Sequence, residues 1–117
     1  MEGLPQYKKD IRPWGTFLRF TQNTQSTVKI ITVNAGEAFS LQKHALRSEF
    51  WHILSGSATI TVGDSVHKAT PGEQFFIAKE VVHRAEAGST GVQFLEISFG
   101  EFDEGDIVRL EDKYGRR

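Results

Sequence analysis

No cysteine occurs anywhere in the 117 residues, so neither a disulfide framework nor a thiolate zinc site is open to this chain. No apolar stretch approaches the roughly 18 residues of a membrane span. Residues 1–10 are polar and lack the apolar segment of a secretory leader. Neither sign of charge is in excess: 14 Lys and Arg stand against 15 Asp and Glu, and no basic run is present to follow a phosphate backbone. Internal repeats and low-complexity segments are missing, and helical periodicity is scarce. What these absences leave is one soluble domain, expected in the cytoplasm, with neither a membrane nor a nucleic acid as partner.

What is present is strand material. Residues 15–20 and 27–33 are rich in β-branched and aromatic side chains and are expected to be strands. Residues 50–54 and 58–62 are expected as two strands hinged at Ser55-Gly56, and residues 74–77 and 93–99 as two more. Asn34-Ala35-Gly36, Gly63-Asp64 and Pro71-Gly72 are turn signals, the second suited to a two-residue hairpin. This rhythm predicts an all-β antiparallel sandwich or barrel in a single domain. Residues 1–11 read as a flexible arm and residues 12–117 as the domain, with the charged stretch 102–117 as a helical turn or an extended tail.

On that scaffold Gly36-x5-Gln42-x-His44-x4-Glu49-x6-Gly56 is followed by Gly72-x10-His83. Gln42 and His44 are two apart and share a face in a strand. Glu49 is expected on a returning strand beyond a short loop at 45–48, and His83 on a separate hairpin. Two imidazoles, a carboxylate and an amide oxygen make a mixed N/O set for a divalent first-row metal, with positions left open to substrate. Zinc is the first expectation, with manganese, iron, cobalt or nickel as alternatives. His52 and His67 lack such company and read as ordinary packed or surface residues; His52 is out of phase with Glu49 and Trp51.

The two glycine-bounded motifs resemble those of the cupin superfamily, whose fold is the double-stranded β-helix, a jelly-roll barrel. Gln42 stands where the first motif usually has its first His, and Ala78, Glu80 and Ala87 stand where the second has Pro, Gly and Asn. Three further blocks are similar to the cupin domain of type II phosphomannose isomerases. They are Arg12-Pro13-Trp14-Gly15, Ser40-Leu41-Gln42-x-His44-x-x-Arg47-x-Glu49-x-Trp51, and Asp106-Ile107-Val108-Arg109-x-x-Asp112-x-Tyr114-Gly115-Arg116. Together they cover almost the whole chain. The resemblance implies a metal site at Gln42, His44, Glu49 and His83, a hexose phosphate as substrate, and a homodimer. In larger members this domain follows a mannose-1-phosphate guanylyltransferase domain, to which nothing in these 117 residues corresponds.

The remaining polar residues are weighed by phase. Lys29 is in step with Ile31 and Val33, and a lysine on such a face is expected only where the face lines a wet cavity. Glu96 and Ser98 share one face of their strand while Leu95, Ile97 and Phe99 share the other. Arg47, in the ligand loop, and Arg109 are candidates for holding an anion, and Trp14 is expected in core or lid packing. The leading reading is an aldose–ketose isomerase interconverting mannose 6-phosphate and fructose 6-phosphate. A Lewis-acid metal suits the developing charge, Glu49 or Glu96 is the candidate proton shuttle, Arg47 assists, and Lys29, Arg47 and Arg109 take the phosphate. Two other classes stay open: a non-haem Fe(II) oxygenase using the two His and one carboxylate, and a non-catalytic sugar-binding module.

Overall fold

A computed structural model describes residues 8–112, all in strands, turns and loops, with no helix long and apolar enough to cross a membrane. Strands β1 (Lys8–Arg12) and β2 (Gly15–Arg19) form a hairpin that is a sheet of its own. The barrel is built from β3 (Ser26–Val33), β4 (Leu41–Lys43), β5 (Arg47–Val62), β6 (Ser65–Ala69), β7 (Gln74–Ile77), β8 (His83–Gly100) and β9 (Val108–Glu111).

Two long strands organise everything else. β5 and β8 pair antiparallel along their lengths, from Arg47 opposite Gly100 to Val62 opposite His83. The register slips at Ile53/Ser55 and again at Gly56/Ala58, where both strands bend. Gly56 and Gly91, both at positive φ, make the bend possible: a Cβ on Gly56 would collide with the Gly91 carbonyl. On one side of the bend, β3 joins β8 and β7 joins β5. On the other, β6 joins β5 while β4 pairs with β8 and β9. One pair of strands thus serves two sheet faces, and the result is an all-β, single-domain jelly roll.

Alternation along β5 and β8 decides what lies inside. Trp51, Ile53, Ile60, Ala85 and Phe94 turn inward and are buried with Val33, Ile77 and Val92. Phe50, Ile97 and Phe99 turn to the outer face, where Phe20 and Phe76 cover them. Across β3–β8–β5 the rows Lys29–Glu96–Trp51 and Thr27–Ser98–Glu49 are in register, so the polar members sit side by side on the inner wall at one end of the barrel.

Four expectations need correction. Residues 8–11 of the expected arm are strand β1, paired with β2 from Lys8–Arg19 to Arg12–Gly15; residues 1–7 lie outside those described. Trp14 is not packed in a core or lid: at the hairpin tip it is 73% exposed and stacks against Phe17. The segments 50–54 and 58–62 are one irregular strand rather than two, because the Gly56 bulge bends the ladder without ending it. The stretch after Gly100 is a loop followed by strand β9 rather than a helical turn, with residues 113–117 outside the description.

Candidate metal centre

His44 follows β4, Glu49 lies in β5 and His83 opens β8; all three are buried, at 3%, 2% and 1% exposure. One ligand atom from each lies within 4.8 Å of the other two. The tautomers are set from behind. His44 Nδ1–H donates to the Asp106 carbonyl at 2.6 Å, and His83 Nδ1–H to the Val81 carbonyl at 2.9 Å. Each ring therefore turns an Nε2 lone pair toward Glu49, at 3.6 Å from Oε2 for His44 and 3.4 Å from Oε1 for His83. Glu49 Oε1 and His83 Nε2 are buried without a hydrogen-bond partner. An orphaned acceptor pair of this kind costs about 1–3 kcal/mol per group and is relieved by a cation between them. The donor set fits: two imidazoles and a carboxylate suit a divalent first-row ion.

The protonation states agree with that fit. Burial holds the His44 pKa below its ordinary value, against the pull of the Asp106 hydrogen bond, so the ring is neutral near pH 7. Burial alone would raise Glu49, but His83, His44 and Arg47 outweigh it and hold the carboxyl below its usual range. Arg47 adds the last of those pulls, its Nε donating to Glu49 Oε2 at 3.0 Å.

Gln42, opposite His83 in the ladder, is at the rim of the same cluster. Its amide oxygen accepts from the buried Ser40 hydroxyl at 2.6 Å, and its NH2 approaches His44 Nε2 at 3.3 Å. The amide nitrogen thus faces His44; a half-turn of the amide brings the oxygen there instead, with Ser40 then accepting.

A cavity of about 190 Å³ opens onto Glu49 and Gln42, lined among others by Lys29, Arg47, Glu96 and Arg109. A groove of about 530 Å³ elsewhere on the barrel, around Asn34, Ser55 and Gly91, has no ionisable lining residue, so size does not pick the site. Of the sequence-derived candidates, Lys29, Gln42, Arg47, Glu49, Glu96 and Arg109 line the smaller cavity, while His44 and His83 gather on Glu49. Glu96 is 5% exposed, and burial first, then the Glu49 charge, raises its pKa to about 7 despite Lys29, Arg47 and the Trp51 indole. Lys29 Nζ lies 4.2 Å from the Phe102 ring centroid and 3.8 Å from Glu104 Oε1. Arg47 stacks on the same ring at 4.4 Å, donates to the Asp103 carbonyl at 3.3 Å and to His44 Nε2 at 3.2 Å. His52 faces outward beside Phe20 and Gln74, and His67 stacks on Phe75, both remote from the ligands.

Residues that sequence reasoning left without a role are Ser40, Phe102, Asp103 and Asp106. Asp106 stood in a recognised block, but no local pattern announces a contact across 62 positions.

The family described as mannose-6-phosphate isomerase, C-terminal, matches residues 2–112. The chain belongs to this family. Its barrel is a cupin. A cupin protein from Bacteroides fragilis superposes with a TM-score of 0.60 at 25% identity, over 71% of this chain and 75% of that one. Xanthan biosynthesis protein XanB of Xanthomonas campestris pv. campestris is 38% identical over 112 residues, which is 94% of this chain and 24% of the relative. Mannose-1-phosphate guanylyltransferase RfbM of Salmonella typhimurium is 36% identical over 94% of this chain and 23% of its own. The chain thus spans about a quarter of the length of these curated relatives. Membership brings a cupin barrel associated with sugar-phosphate enzymes, with a His–Glu–His group able to hold a metal ion.

Proposed function

We propose that this chain is a metal-dependent aldose–ketose isomerase of sugar phosphates, interconverting mannose 6-phosphate and fructose 6-phosphate. One observation carries the reading: a buried carboxylate with a pKa of about 7, Glu96, faces the same small cavity as Glu49, the carboxylate of the His44–Glu49–His83 cluster, and the cations Lys29, Arg47 and Arg109. His44, Glu49 and His83, with Gln42 as a fourth donor, would hold the ion, for which zinc is our first choice. When bound, the ion supplies Lewis-acid polarisation of the sugar carbonyl.

The chain's own residues do the rest. Glu96, poised near neutrality, takes the C2 proton as a carboxylate and returns it to C1 as the acid, which is the balance a proton shuttle needs at neutral pH. Lys29 and Arg47 offer charge to the phosphate in place of Phe102, Asp103 and Glu104, and Arg109 extends that basic wall. Glu49 is already engaged by Arg47 and would be held by the ion, so it is the poorer base.

The test is transfer or solvent exchange of the C2 hydrogen of mannose 6-phosphate by the metal-loaded protein. Tight sugar-phosphate binding without any exchange would overturn the isomerase and leave a non-catalytic binding module. That second reading draws support from the relatives' names, which are those of guanylyltransferases and polysaccharide biosynthesis proteins, and from the quarter of their length matched here. An oxygenase would use the same three ligands, but it gives no part to the three cations on the wall. A cytoplasmic homodimer remains part of the proposal; sedimentation equilibrium at micromolar concentration reads the assembly.

A further inference from the structure

The loop between β8 and β9 grips the ligand loop at one residue. Asp106 Oδ1 accepts the Ala45 amide at 2.8 Å and Oδ2 accepts the Leu46 amide at 2.9 Å. Both are charge-assisted bonds of the stronger kind. The backbone carbonyl of the same residue accepts Nδ1–H of His44 at 2.6 Å. Three contacts from one residue therefore hold three consecutive positions of the ligand loop. The His44 carbonyl accepts the Glu80 amide at 2.7 Å, a contact that does not orient the ring, and Gln42 and Arg47 approach the ring at Nε2, the other nitrogen. The ring's tautomer and tilt depend on where the Asp106 carbonyl sits, and the carboxylate is what fixes that carbonyl against the loop. Asp103 and Phe102 of the same segment also touch Arg47, so its position bears on the cation next to Glu49 as well.

We propose that Asp106 is a positioning residue of the metal centre, clamping the Ala45–Leu46 backbone so that its carbonyl takes Nδ1–H of His44 and leaves Nε2 to the ion. This rests on the reading of His44 as a ligand, and the experiment separates the two. Zinc and manganese affinities are measured by chelator competition on the full chain for the wild type, D106A, D106N, H44A and the double variant H44A/D106A. An outer-shell partner of this kind is worth about 10–100-fold in metal affinity. D106A is expected to lose that much, and D106N, which keeps one acceptor oxygen, a smaller part of it. Because Asp106 acts through His44, the double variant should bind no more weakly than H44A alone. Imidazole nitrogen resonances of the metal-free protein should show His44 protonated at Nδ1 in the wild type and redistributed toward Nε2 in D106A. D106N carries the same tests should D106A fail to fold. Wild-type affinity in both Asp106 variants, with H44A impaired, would overturn the positioning role and leave the metal site standing. Additive losses in the double variant would overturn it as well, since they indicate general destabilisation. Wild-type affinity in H44A would remove the metal reading and this proposal together.

Discussion

Glu96 and Arg47 are the two residues whose behaviour is most sharply fixed by their surroundings. Glu96 has a pKa of about 7 in the fold against an ordinary 4.5, so the native state binds the proton more tightly than the unfolded chain. Below pH 4.5 Glu96 is protonated in both states and its contribution to the stability of the metal-free protein is fully present; from there to about 7 the unfolded state ionises first and that contribution is lost. At about 1.4 kcal/mol per pKa unit the loss is at most on the order of 3 kcal/mol. Urea titrations of metal-free protein across that range should show the decline, and Glu96→Gln should remove it. If Glu96 is the proton shuttle, the same variant should keep metal and substrate while losing about 10²–10⁴-fold in rate. An unchanged kcat would move the shuttle elsewhere. Arg47 donates to two candidate ligand groups, Glu49 and His44, and its charge opposes any cation placed between them. Arg47→Gln is expected to tighten metal binding several-fold while raising KM for the sugar phosphate. Weaker metal binding in that variant would show the guanidinium to be a support of the site rather than its competitor.

The turn that delivers His83 runs through Glu80, which stands where the second cupin motif has glycine. The backbone keeps the glycine conformation all the same: Glu80 has φ of +68° and its amide donates to the His44 carbonyl at 2.7 Å. A left-handed non-glycine residue costs about 1–2 kcal/mol, part of which glycine gives back as unfolded-state entropy. Glu80→Gly should therefore raise stability by roughly 0.5–1 kcal/mol in a denaturant midpoint, with metal affinity unchanged; a fall would mean that the Lys43–Glu80 pair matters more than the strain. Gly56→Ala should have the opposite sign, because its Cβ meets the Gly91 carbonyl, which is backbone and cannot swing aside. Elements with a clean alternation were legible in the sequence. Residues 27–33 and 74–77 fall almost on β3 and β7, and the outward turn of Leu95, Ile97 and Phe99 put Glu96 and Ser98 on the inner wall. The gathering of His44, Glu49 and His83 was legible because glycine spacing and residue type pointed the same way. The Lys8–Arg12 strand was missed for want of an apolar alternation, and the Asp106 loop because its contacts are made at long range by groups that read locally as surface charge.

At the scale of the whole molecule, the β5–β8 ladder is nested. Val62 and His83 enclose only the β6–β7 segment, while Arg47 and Gly100 enclose nearly half the chain. Closing a loop costs more entropy the longer it is, so the ladder should zip from the Val62 end outward, with β3 added to β8 afterwards. His83 sits where zipping starts and Glu49, opposite Ser98, where it finishes. Trp51 is fully buried and Trp14 exposed, so the fluorescence change on refolding belongs chiefly to Trp51, two residues from Glu49. Refolding followed with a zinc indicator should show metal capture no earlier than the slowest tryptophan phase; capture in an earlier phase would contradict the nested order. An ion held by His44, Glu49 and His83 would then act as a seal on a finished barrel. A newly made chain would present single histidines to the cell's metals long before it presented all three ligands, and firm capture would wait until the last rungs had closed.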